Sequence, residues 1–284
     1  MHNVLILGGS GFLGTAIINE LKKHSRFKVY ATYFQSRPKQ LILDGNFKLN
    51  IEDLNKISNI LNISQPQTIV SCLRGDYTQQ LALHIKIAKY LKKTHGKLYF
   101  FSTANVFDYD LTKPYAEDDL PKSSSAYGTF KLSCENKILE ILHDNACILR
   151  LPQVFGKAAP RMNHLLNSLR LNEKVVVYPN LFFNINIDTI VAKQLCYIIT
   201  RNLTGIFHLA TGDIVNQKDF YRQLVTGLGF TNVRFQESFA EKGYFALSTK
   251  RGAELPDWLK LMNISAIDYL INKTPISNHK TGTN

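Results

Sequence analysis

Val4-Leu5-Ile6-Leu7-Gly8-Gly9-Ser10-Gly11-Phe12-Leu13-Gly14 is the stretch on which the reading of this chain turns. Val4 to Leu7 is a short apolar run and reads as a buried strand. From Phe12 to Lys23 the apolar residues recur at helical spacing. Between them Gly8, Gly11 and Gly14 form a G-x-x-G-x-x-G pattern, and Gly9, Gly11 and Gly14 satisfy G-x-G-x-x-G. One glycine allows a tight turn, one lets the backbone approach a ligand, and one lets the helix pack on the strand. The free N–H groups and dipole at the helix start favour an anion. Gly8, Gly11, Phe12, Leu13 and Gly14 are therefore the expected anion-binding residues. In this strand–turn–helix setting the expected anion is the pyrophosphate of a dinucleotide.

The alternation continues outward. Strands are predicted at 29–32, 47–49, 68–72, 98–101 and 147–151, with helices at 52–61, 81–93 and 125–143. These are βαβ units. The strands are apolar throughout, as in a sheet covered on both faces. The expected fold is α/β, a Rossmann-type doubly wound parallel sheet with a smaller C-terminal substrate-binding lobe. Residues 1–156 would form the dinucleotide-binding domain, segments near 183–212 would return to it, and 157–284 would be mainly the lobe. In the second half, helices are predicted at 162–171, 188–200 with Asp188 as N-cap, 217–228 ending near Gly229, and 257–271. Strands are predicted there at 175–178 and 205–209.

Composition narrows the partners. The 284 residues carry 34 Lys and Arg against 22 Asp and Glu, a net charge of +12. Such a surface attracts anions. The basic residues are scattered, with no basic arm and no aromatic RNA-binding signature, so a basic but solvated surface is expected rather than a nucleic-acid site. Cys72, Cys134, Cys147 and Cys196 have no C-x-x-C spacing, and the histidines have no zinc-ligand spacing. Reduced thiols and the lack of a signal-peptide pattern lead to a cytoplasmic expectation. No apolar run approaches the ~20 residues of a membrane span.

The end of the second strand bears on the cofactor. An acidic residue there would bind a ribose 2′-hydroxyl and favour NAD. The sequence has Thr32-Tyr33-Phe34-Gln35-Ser36-Arg37 instead. Arg37, with Ser36, either holds a 2′-phosphate or is a solvated loop residue. NADP is the expected cofactor and NAD the alternative.

Tyr127 and Lys131 lie four apart on a predicted helix and share one face. A free tyrosine titrates too high to serve as a base at neutral pH, and a nearby cation lowers its pKa. Ser102 and Thr103 follow the strand at 98–101, at the sheet edge where ligands bind in such folds. With the glycine turn, Ser102-Thr103 and Tyr127-Gly128-x-x-Lys131 resemble the extended short-chain dehydrogenase/reductases. The run Phe101-Ser102-Thr103-Ala104-Asn105-Val106-Phe107-Asp108 looks like the S-T-D-Y-V-F-D-G segment of dTDP-4-dehydrorhamnose reductases. Pro114 to Pro121, Glu135, and Ile148 to Gly156 are also similar to that family. The resemblance implies that Tyr127 gives a proton to the substrate carbonyl oxygen. It implies that Lys131 holds the nicotinamide ribose and lowers the tyrosine pKa, and that Thr103 bonds the same substrate oxygen, with Ser102 as the alternative.

The activity so implied is NAD(P)-dependent reduction of a keto-sugar, nucleotide-linked. A sugar-nucleotide epimerase with held NAD is the second reading. The third is a non-catalytic NADP-binding regulatory subunit, like the β subunit of methionine adenosyltransferase. A homodimer stays open. The sequence departs from the reductase pattern at Ala104-Asn105, which replace Asp-Tyr, and at Leu73-Arg74-Gly75-Asp76, where small residues are usual. It departs again at Asn50, in place of an adenine-contacting Asp, and around Tyr178 to Phe183, where a D-Q-x-G-x-P run is missing.

Overall fold

The computed structural model describes residues 1–36 and 43–272. Arg37 and the tail from Thr274 lie outside the described residues. The first half alternates strands β1 (His2–Leu7), β2 (Phe27–Tyr33), β3 (Gly45–Lys48), β4 (Thr68–Ser71), β5 (Lys97–Thr103) and β6 (Ala146–Leu151) with helices. Those helices are α1 (Phe12–Leu21), α2 (Leu54–Ser64), α3 (Tyr77–Thr94) and α4 (Ala126–Leu142). The second half holds the short strands β7 (Gln153–Phe155), β8 (Val175–Val177), β9 (Leu181–Phe183), β10 (Ile185–Ile187), β11 (Gly205–His208), β12 (Val215–Asn216), β13 (Phe235–Glu237) and β14 (Gly243–Phe245). Its helices are α5 (Pro160–Arg170), α6 (Asp188–Thr200), α7 (Gln217–Gly227) and α8 (Asn263–Ile271).

The main sheet has seven strands in the order β11-β6-β5-β4-β1-β2-β3, and every pairing in it is parallel. The chain runs outward from β1 to β3, then returns to β4 on the other side of β1. That reversal opens a crevice at the carboxyl ends of β1 and β4, where open α/β sheets bind ligands. Separate cores cover the faces. Ile17, Ile18, Val191 and Leu195 of α1 and α6 pack with Val4, Ile6 and Tyr99. Ile57, Leu83, Ile87, Phe130, Cys134 and Ile138 of α2, α3 and α4 pack with Leu5, Leu7 and Phe100. Alternate residues of one strand thus enter opposite cores, which is why the strands are apolar at every position.

α6 packs against α1 and β11 pairs with β6, so the chain between Asp188 and His208 belongs to the sheet domain. The lobe core gathers Phe155, Leu165, Phe183, Phe220, Leu224 and Leu270. Several local expectations need correction. The N-cap of α6 is Ile187, with Asp188 in the first turn. The last helix starts at Asn263, after a separate 3-10 turn at Asp257–Leu259. The pieces β9, β10, β12, β13 and β14 were not expected. They are strands of two or three residues, too short to show a period of two.

Candidate active site

The glycine turn forms for steric reasons. Gly8 has φ +76, a left-handed conformation, and an added Cβ would strike the Cys72 carbonyl oxygen at 2.9 Å. At Gly14 a Cβ would run into the Gly8 carbonyl oxygen, so only glycine lets α1 close on β1. Gly11 differs. A Cβ there meets only the Gly8 carbonyl oxygen, at 3.2 Å, and so projects toward open space. No side chain among the described residues caps α1 at Gly11. The amides of Gly8, Gly9 and Gly11 bond within the turn or to Thr32. Phe12 and Leu13 open the first turn of α1, so their backbone N–H groups would be what an anion there meets. Their side chains pack into the lobe core and the sheet core respectively. An uncapped helix start with a backbone cradle that a side chain would fill fits a dinucleotide pyrophosphate. Gly11→Val is therefore expected to fold normally and lose dinucleotide binding. A folded Gly11→Val protein that binds NADPH like the wild type in a fluorescence titration would remove this site.

The second part of the site is built on Asp108. Its carboxylate accepts hydrogen bonds from the Ser123 hydroxyl at 2.8 Å and the Ser124 N–H at 2.7 Å, and from the Ser125 hydroxyl. Burial pushes its pKa up, but the bonds from Ser125, Ser123 and Ser124 outweigh that and hold it below the usual carboxylate range. The Ser125 hydroxyl in turn caps α4 by accepting the Gly128 N–H at 3.0 Å. A Cβ at Gly128 would collide with the Asn105 carbonyl oxygen. These contacts press the start of α4 onto the 3-10 turn Ala104–Phe107 that follows β5.

Thr103, at the end of β5, and Tyr127, at the start of α4, come together there. Tyr127 is 39% exposed. Ser102 is buried, and its hydroxyl has no partner among the described residues. Thr103, not Ser102, reaches the tyrosine. Lys131 is 7% exposed, and its ammonium donates to the Phe101 carbonyl at 2.8 Å. It also lies over the Phe100 ring, 4.5 Å from the centroid.

One expectation fails here. Lys131 does not lower the Tyr127 pKa. Burial raises that pKa above the ordinary tyrosine value, and the cation working against it is Arg74, with Tyr77 raising it further and Thr103 lowering it. The Lys131 ammonium is turned to the Phe101 carbonyl and stands 6.0 Å from the Tyr127 ring centroid. Burial also pushes Lys131 itself down to about 8. A phenol held protonated suits a proton donor better than a base.

The structure adds residues that the sequence reading did not place. Tyr77 stacks on Phe130 with centroids 4.5 Å apart and lies 6.1 Å from Tyr127. The Thr103 hydroxyl donates to the Asn105 side-chain oxygen at 2.9 Å. Under α4, Arg150 is 1% exposed and bonds Glu135 through Nε at 3.2 Å and Nη2 at 2.8 Å. Glu135 is one helical turn beyond Lys131. The signal for this pair was the presence of an arginine in an otherwise apolar strand.

The RmlD substrate binding domain family model matches residues 1–242. The chain belongs to this family. Methionine adenosyltransferase 2 subunit beta of Danio rerio is 31% identical over 166 residues, covering 55% of this chain and 49% of that protein. The chain thus spans about half the length of the curated relatives it matches first. The dTDP-4-keto-6-deoxy-D-glucose reductase of Streptomyces niveus is 23% identical over 240 residues, covering 79% of this chain and 78% of that protein. Among solved structures, a dTDP-4-dehydrorhamnose reductase from Clostridium acetobutylicum superposes with a TM-score of 0.78 at 20% identity, covering 94% of this chain and 98% of the other. The Bacillus anthracis dTDP-4-dehydrorhamnose reductase in complex with NADP gives 0.76 at 17% identity, covering 96% and 100%. The RmlD family member described here shares their fold.

Proposed function

We propose that this chain is an NAD(P)-dependent reductase of a nucleotide-linked keto-sugar, with Thr103, Tyr127 and Lys131 as its catalytic set. The observation that carries the reading is the packing of the start of α4, with Tyr127, against the end of β5, with Thr103, at the carboxyl edge of the sheet whose β1–α1 turn is an uncapped helix start. The dinucleotide supplies hydride when bound. Tyr127, a phenol protonated at neutral pH, gives its proton to the oxygen of the reduced carbonyl. Thr103 orients that oxygen, and Lys131 holds the nicotinamide ribose. Arg74 stabilises the phenolate left behind, since it is the cation that acts on Tyr127. NADP is the favoured cofactor. The direct test is NADPH oxidation with dTDP-4-keto-6-deoxyglucose and related keto-sugar nucleotides. The epimerase alternative would instead retain NAD through purification and turn over without net cofactor oxidation.

A further expected result concerns pH. A cationic Lys131 donates charged hydrogen bonds to the ribose, and the neutral amine does not. Dinucleotide affinity should be flat at lower pH and fall as pH rises through about 8, the pKa of Lys131. Titrations of NADPH on either side of that point check it. A pH-independent affinity, or a fall of the same size in Lys131→Met, would move the ribose contact to another residue.

A second reading is a dinucleotide-binding regulatory subunit. The curated relatives near 30% identity are methionine adenosyltransferase 2 subunit beta proteins. The Thr103 hydroxyl proton is also committed to Asn105, where the reductase pattern has tyrosine. This reading expects NADPH binding, no carbonyl reduction, and altered kinetics of a partner enzyme on mixing.

A further inference from the structure

Tyr77 is the first residue of α3, and the backbone that carries it is held from both sides. Asp76 caps the helix by accepting the Gln79 N–H at 2.9 Å. Gly75 has φ +133, and a Cβ there would strike the Ile51 side chain at 2.7 Å. The Gln80 side chain, 2% exposed, donates to the Gly75 carbonyl at 2.8 Å. On this seat the Tyr77 ring lies flat on Phe130 of α4, with centroids 4.5 Å apart and planes 4° apart. Phe130 is a member of the core with Cys134 and Ile138.

Tyr127 stands three residues before Phe130, and positions three apart are neighbours on a helix surface. One ring from α3 therefore spans both. The Tyr77 and Tyr127 centroids are 6.1 Å apart and their planes are tilted by 44°, within the range of aromatic contact. A cover needed only for Phe130 would bury its own ring. Tyr77 and Tyr127 are instead exposed to a similar degree, 41% and 39%, side by side at the starts of their helices. Burial is the largest influence on the Tyr127 pKa and holds it above the ordinary tyrosine value. Of the titratable groups around it, Arg74, from the loop after β4, lowers it and Tyr77 raises it. Lys131, on α4 itself, keeps its ammonium 6.0 Å from the Tyr127 ring centroid. A part-exposed phenol is shielded by what lies beside it, and the ring beside Tyr127 is Tyr77.

We propose that Tyr77 is a positioning residue for the proton donor. Its ring, clamped on Phe130, closes the α3 side of Tyr127 to water and holds the phenol in the place from which it delivers its proton. This role rests on the reading of Tyr127 as the donor.

The test labels the tyrosines of the full chain at Cζ and follows each phenol by NMR through a pH titration without cofactor. The Tyr127 signal is the one missing in Tyr127→Phe. Tyr77→Ala strips the ring and lets water reach Tyr127, whose pKa should move down toward the ordinary value. Tyr77→Phe keeps the ring and should restore the wild-type titration. The alkaline decline of the reduction rate should follow, to lower pH in Tyr77→Ala. There kcat should fall about tenfold or more, since a ~1 Å misplacement can cost about 10²-fold. KM and NADPH affinity should stay near wild type. Tyr77→Leu, which still covers Phe130, should shift Tyr127 in the same direction and serves if the alanine variant is unstable. A Tyr127 titration unmoved by Tyr77→Ala, or moved equally by Tyr77→Phe, would overturn the proposal. So would a rise in KM alone, which would make Tyr77 a wall for the substrate. A wild-type protein that reduces no keto-sugar would instead sink the donor reading, and the titration would still decide whether Tyr77 shields Tyr127.

Discussion

Tyr127→Phe should lower turnover on a keto-sugar nucleotide by about 10²–10⁴-fold, the usual worth of a positioned general acid. The substitution removes only the phenolic oxygen. The ring keeps its place beside Tyr77, and α4 keeps its Ser125 cap. Dinucleotide affinity and melting temperature should therefore stay near the wild-type values. The loss then falls on kcat rather than on binding. Burial holds the Tyr127 pKa above the ordinary value, so the wild-type rate of reduction should be level through neutral pH and decline only at higher alkaline pH, as the donor is lost. Arg74→Gln removes the cation that opposes this shift and should move the decline to still higher pH. Full turnover in Tyr127→Phe would end the assignment of Tyr127. Dinucleotide binding without any turnover, in wild type and mutant alike, would favour the regulatory reading.

The largest effect on stability is expected at Arg150. Arg150 and Glu135 are each 1% exposed and are joined by three hydrogen bonds, and Arg150 also lies 3.3 Å from His208 Nε2. Burial keeps His208 neutral, with its pKa down at about 4. The His208 N–H reaches Glu117, whose second oxygen accepts the Lys250 N–H at 2.8 Å. Arg150→Met leaves the Glu135 charge buried and unpaired, which costs about 3–5 kcal/mol. The double variant Arg150→Met with Glu135→Met removes both charges and should recover most of that loss. Urea unfolding of the single and double variants measures the difference. A single variant within about 1 kcal/mol of wild type, the range of surface ion pairs, would show that the pair contributes little.

Much of this molecule was legible in one dimension. The strand–turn–helix at Val4 to Gly14, the strands leading to β6 and the helices between them follow local rules. Apolar runs, helical periodicity and glycine sterics act over a few residues, and a parallel sheet buried on both faces makes its strands apolar throughout. The Tyr127–Lys131 spacing was legible for the same reason, because four residues are one helical turn. The short strands of the lobe were not. Their pairings, such as β14 with β9 and β12 with β9, join distant segments of two or three residues, and so short a strand carries no pattern.

The sequence by itself thus determined the α/β class, the anion turn and the residues of the candidate catalytic set. Each depends on chemistry or sterics between near neighbours in the chain. Only the tertiary structure decided which of Ser102 and Thr103 faces Tyr127, and which cation acts on the phenol. Sequence spacing assigned that charge to Lys131. Folding buries Lys131 against the Phe101 carbonyl and the Phe100 ring, and brings the loop after β4, with Arg74, to the tyrosine instead. A pKa follows from the burial and charges around a group in three dimensions, and those are set by segments far apart in the chain.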